Sequence, residues 1–198
     1  MKDWYVIVVI IFVVAFCLMY YFYNSDAVQL KCIVSTVDGN KYCVRERAQI
    51  QNAADLLAKV TVKCKELVQY MEKTHPDDDR TRRLVSGFNP KKIMETLPTS
   101  SYTAYSENKG EKMAFCLSPK KTNGEDELID EHTLTFVAIH ELSHVATKSI
   151  GHKPEFWENF KFLLENAKDA NIHMPRDYSK KPKTYCSMDI QDNPYYDL

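Results

Sequence analysis

The sequence predicts an α+β domain, a small antiparallel sheet beside long helices, carried behind one N-terminal membrane-spanning helix. Three observations lead there: an uncharged apolar run near the N-terminus, two β-branched segment pairs with turn residues between them, and helical periodicity over three long stretches. The chain has 198 residues, 44% hydrophobic and 27% charged, with only 5 Gly and 8 Pro. That composition excludes collagen-like, disordered and low-complexity classes. Lysine plus arginine (26) nearly balances aspartate plus glutamate (27), so no nucleic-acid partner is expected.

Residues Trp4 to Tyr23 form a 20-residue run without a charge or a strong helix breaker. At about 1.5 Å per residue such a helix covers the roughly 30 Å hydrocarbon core, and its aromatic ends suit both interfaces. A signal peptide would have a shorter apolar core followed by small residues at a cleavage site. The expected division is therefore an anchor over residues 1–26, with the bilayer as partner through residues 4–23, and a domain over 27–198. Lys2 precedes the run while Lys31, Lys41, Arg45 and Arg47 follow it, so charge leaves the topology open.

Beyond the anchor, Val28 to Ser35 and Lys41 to Arg45 read as a hairpin around Asp38-Gly39. A two-residue turn there sets Cys43 opposite Val34, diagonal to Cys32, a poor disulfide geometry. Cys64 and Cys116 fall on apolar faces that suit buried thiols, so free cysteines and a reducing compartment are expected. From about Ala48 to Lys73, Ile50, Ala53, Leu57, Val60, Cys64, Leu67 and Met71 recur at steps of three and four, the stripe of a long amphipathic helix. The aspartates of His75 to Arg80 read as a solvated loop or cap. A short helix carrying Ile93 and Met94 is expected after Asn89-Pro90. Tyr102 to Ser106 and Glu111 to Leu117 read as a second hairpin. A polar loop, Ser118 to Glu127, precedes Asp130, the N-cap of a helix running to about Lys148. Pro154 opens another helix to about Ala170, with Phe156, Trp157, Phe160, Leu163, Leu164 and Ala167 on its buried side. Tyr185 to Ile190 supplies one more strand. Lys180, Lys181 and Lys183 read as a solvated basic face.

His140-Glu141-Leu142-Ser143-His144 matches H-E-x-x-H. Residues four apart share one helical face, so both imidazoles can reach one ion, and Glu141 adjoins them as a base for a metal-bound water. The surrounding stretch, Thr133 to Val145, is apolar almost all round, where unpartnered polar groups are costly. Catalytic zinc sites keep three protein ligands and an open position. His152 is the foremost third ligand; a continued helix would carry it about 12 Å beyond His144, but Gly151 as a left-handed cap and Pro154 turn the chain back. Glu155 and Glu158 are the rivals.

The stretch His140 to Trp157 (HELSHVATKSIGHKPEFW) resembles the active-site region of WLM and SprT-like zinc metalloproteases, in which an H-E-L-x-H helix is followed by a third histidine and an aromatic pair. With LKCIVSTVDGNKYCVRE, AADLLAK, PDDDR and NKGEKMAFCL, the longer pattern resembles membrane-anchored WLM-domain proteins of nucleocytoplasmic large DNA viruses. The resemblance implies a minimal zincin-like fold, Zn2+ on His140, His144 and His152, Glu141 as general base, and residence as a single-pass protein in a virion inner membrane or a host membrane. It implies hydrolysis of a protein or peptide substrate, the water's proton passing through Glu141 to the leaving amine. Tyr178 or Tyr185 could supply the oxyanion donor, and the strand Lys112 to Leu117 could pair with extended substrate. A second expectation is an attachment protein with a structural or vestigial zinc site, partnered by other virion proteins.

Overall fold

The computed structural model describes residues 2–23, 29–120 and 127–197. The expected boundary at residue 26 and most of the polar loop lie outside these. Helix α1 (Lys2–Tyr23) contains the apolar run, none of it buried against the rest of the chain, and it is long and apolar enough to cross a membrane.

The remaining described elements make one mixed α+β unit. Strands β1 (Lys31–Val34) and β2 (Lys41–Val44) precede helices α2 (Ile50–Thr74) and α3 (Asp79–Gly87). Strands β3 (Ile93–Glu95), β4 (Ala104–Glu107) and β5 (Lys112–Phe115) follow, then helices α4 (Glu131–Ala146) and α5 (Pro154–Asp169). A small hairpin, β6 (Lys183–Tyr185) and β7 (Met188–Ile190), replaces the single expected strand. The five-stranded sheet runs β1-β2-β3-β5-β4. It is mixed rather than antiparallel, because β2 and β3, and β3 and β5, pair in parallel. The α2–α3 connection is the long helical crossover that parallel pairing needs.

Periodicity and caps locate the helices. Ala53, Leu57, Val60, Cys64, Leu67 and Met71 form the buried stripe of α2. Asp78 caps α3 by accepting from Arg80 N, so the aspartate run does serve as a cap. Asp130 accepts from Thr133 N at the start of α4, and Pro154 stands in the first turn of α5. Trp157, expected inside, is 44% exposed. Helix α4 is buried almost all round, held between β4 and β5 on one side and α2, α3 and α5 on the other.

Four expectations are corrected. Ile93 and Met94 lie in a strand, since β2 and β5 flank them and satisfy their backbone. The strand expected to pair with substrate, β5, is interior; β4 and β1 are the edges. The β1–β2 connection spans Ser35 to Asn40, fixed by Ser35 N donating to Asn40 O and by Asp38 accepting from Asn40 N. That longer loop shifts the register and puts Cys32 directly opposite Cys43, and the two are disulfide-bonded. A second disulfide joins Cys116 to Cys186, 70 residues apart. Among the described residues only Cys17 and Cys64 are free. Two disulfides fit an oxidising rather than a reducing compartment.

Candidate metal centre

The imidazoles of His140, His144 and His152 converge, each offering a nitrogen, with all three nitrogens within 4.8 Å of one another. His140 and His144 lie one turn apart on α4 with ring centroids 5.0 Å apart. His152 reaches them from the loop before α5, its Nε2 3.1 Å from that of His140. Two nitrogens at about 2.0–2.1 Å from a tetrahedral zinc stand about 3.3 Å apart, so this spacing suits a shared ion. Burial and the neighbouring imidazoles push His140 down to about 3 and His144 down to about 4. Both rings are therefore neutral near pH 7, the state a metal ligand needs. The donor set fits zinc: three imidazole nitrogens, with His152 exposed on the solvent side.

The return of the chain rests on residues from distant segments. Helix α4 ends at Ala146 with Thr147 extended, two residues before the expected end. Gly151 has φ +80° but stands in the loop beside His152 rather than capping the helix. Lys109, at the β4–β5 turn, donates to the carbonyls of His144, Thr147 and Ser149 at 3.2, 2.7 and 3.1 Å. Arg83 donates to Ala146 O. These cations satisfy carbonyls that a helix end leaves free, on the favourable side of its dipole. Asn159 donates to the Thr147 hydroxyl at 2.8 Å. Glu155 accepts from the backbone N–H groups of Lys148 and Ser149, both at 3.2 Å, so its carboxylate clamps the loop and lies outside the imidazole cluster. Glu158 is exposed and outside the cluster.

Gly110 lets the turn approach so closely. A Cβ there would meet Gly87 O at 2.8 Å and Val145 Cγ2 at 2.9 Å, at φ +100°. Gly110→Ala is expected to destabilise the protein by about 1–3 kcal/mol. A shift of the urea midpoint to lower concentration checks this.

Phe156 forms the platform of the site. Its buried ring lies 4.8, 4.3 and 4.6 Å, centroid to centroid, from His140, His144 and His152. Trp157 packs 5.6 Å from His152 on the exposed side. Glu141, the next residue after His140, is 5% exposed. Burial pushes its carboxyl up to about 8, and a cation beside it would draw it back toward the ionised form.

Neither tyrosine is an open donor. Tyr178 is buried against Phe136, one turn before His140, with ring centroids 4.9 Å apart. Tyr185 is fully covered, and its hydroxyl donates to Thr103 O at 3.2 Å. Burial, with the Glu141 charge second, raises its pKa. The motif thus marked two of the three converging imidazoles, whereas Lys109, Arg83, Glu155, Asn159 and Phe156 carry no local sequence signal for their positions.

The chain is 23% identical over 197 residues to an uncharacterized protein of Acanthamoeba polyphaga mimivirus, covering 98% of each. It is 29% identical over 127 residues to an uncharacterized protein of Invertebrate iridescent virus 6, covering 61% of this chain and 68% of that one. An uncharacterized protein of Invertebrate iridescent virus 3 is 41% identical over 61 residues, 30% of this chain and 36% of its own. These relatives are proteins of large DNA viruses. No family model and no solved structure matches the chain.

Proposed function

We propose that the protein is a membrane-anchored, zinc-dependent peptidase of a large DNA virus. The observation that carries this reading is the convergence of three imidazole nitrogens within 4.8 Å on an H-E-x-x-H helix. His140, His144 and His152 would hold the ion. Zinc bound there would supply Lewis-acid polarisation of a carbonyl and an acidified water. Glu141 would take a proton at its Oε and return it to a leaving amine. Its burial keeps competing water away. The β4 edge, antiparallel to β5 and packed against α4, takes over the strand-pairing role first expected for β5. Helix α1 would hold the domain at a virion or host membrane.

The ligand assignment has a direct test. His152→Ala is expected to lower zinc affinity by orders of magnitude. Glu155→Ala is expected to lower it by about tenfold, by loosening the loop, and Glu158→Ala to leave it unchanged. Competition with a chromogenic chelator reads all three; a loss in Glu158→Ala equal to that in His152→Ala would reassign the ligand.

A further inference from the structure

The sheet has two ends with different surroundings. At one end lie Lys31, paired with Val44, the β4 start at Ala104, opposite Phe115, and the first turn of α4, reached through Ile129 N donating to Leu117 O. At the other end lie the β4–β5 turn, with Lys109, and the loop bearing His152. The connection to α1 enters at the first end. Gln29 contacts the Thr99 hydroxyl at 3.3 Å and donates to Tyr23 O, the last residue of α1. Tyr23 and Gln29 are separated by five residues, a reach of at most about 20 Å.

Exposed apolar side chains occur at both ends, so exposure alone does not choose between them. Tyr102 (64% exposed) and Met188 (48%) share the first end, joined through Thr103, whose hydroxyl lies 3.4 Å from Met188 Sδ. Met174 (59%) lies at the start of α4, where its carbonyl meets His132 Nε2 at 2.7 Å. Ile150 (85%) and Trp157 flank His152 at the other end. The point of attachment decides the matter: Thr99 is three residues from Tyr102, and the short tether holds that end at the bilayer.

We propose that Tyr102, Met188 and Met174 form the surface by which the domain rests on the bilayer spanned by α1, with α4 standing away from it. An aromatic ring with a polar hydroxyl and two thioethers suit the interfacial zone. His140 and His144 then lie about 14 and 20 Å along the helix axis from its first residue. An extended segment of a neighbouring membrane protein covers that height in about five residues. The metal centre faces chain just clear of the membrane rather than the lipid itself. The orientation rests on the reading of α1 as a membrane anchor.

The test uses the full chain with Trp4→Phe and Trp157→Phe, reconstituted in phosphatidylcholine–phosphatidylglycerol vesicles. One set of vesicles carries a nitroxide near the glycerol end of an acyl chain. A single tryptophan is placed by Tyr102→Trp or by Ile150→Trp. Emission from the first is expected to fall about twofold with nitroxide lipid and to be blue-shifted, while the second is unchanged. Quenching at position 150 but not 102, or at neither, in protein that resists alkaline extraction overturns the docking surface and leaves the anchor standing. Alkaline extraction of the chain from the vesicles overturns both.

Discussion

Glu141→Gln is expected to reduce peptide hydrolysis by about two to four orders of magnitude while zinc content stays at the wild-type level. The substitution keeps side-chain volume at a position that is only 5% exposed. Folding and metal binding are therefore preserved, and only the proton acceptor is removed. Turnover of casein by the full chain in detergent, with zinc measured on the same sample, reads both quantities. Activity equal to wild type would remove Glu141 from the chemistry, and loss of zinc would make it a structural residue.

Glu95→Ala is expected to cost about 3–5 kcal/mol of stability, because it strands two buried guanidinium groups. Glu95 is 1% exposed; its carboxylate accepts from Arg45 N at 2.7 Å and pairs with Arg47. Arg45 continues to Thr96 O and Leu97 O at 2.8 and 3.0 Å, and Arg47 to the Ser118 hydroxyl at 3.4 Å. One carboxylate thus ties β2, β3 and the segment leaving β5 together. Urea unfolding followed by circular dichroism should show the midpoint fall with an unchanged slope. A loss below about 1 kcal/mol would place the cluster among solvent-screened pairs instead.

The parts of the fold legible in the sequence are those set by local physics. The stripe from Ala53 to Met71 marks α2, and Asp130 and Pro154 mark where α4 and α5 begin. Elements set by tertiary pairing were not legible. Three residues, Ile93–Glu95, become a strand only because β2 and β5 lie on either side. The β1–β2 register depends on hydrogen bonds within Ser35 to Asn40, and a slip there decides whether Cys32 meets Cys43. In the site, His140 and His144 follow from helical spacing. The placement of His152 depends on Lys109, more than thirty residues upstream of the carbonyls it clamps, and on Glu155 in the next helix. No pattern around Lys109 distinguishes a clamp from a solvated lysine. Tyr178 and Tyr185 show the converse: suitable chemistry near the motif in sequence, but side chains closed off by packing.

Three imidazoles converging on one point should hold one metal ion. This is tested most directly by elemental mass spectrometry of the purified full chain in detergent, beside a His140→Ala, His144→Ala double variant. After zinc loading and removal of free metal, about one zinc per wild-type chain is expected and essentially none in the double variant. Equal zinc in the two proteins, or none in a folded wild-type chain, would contradict it.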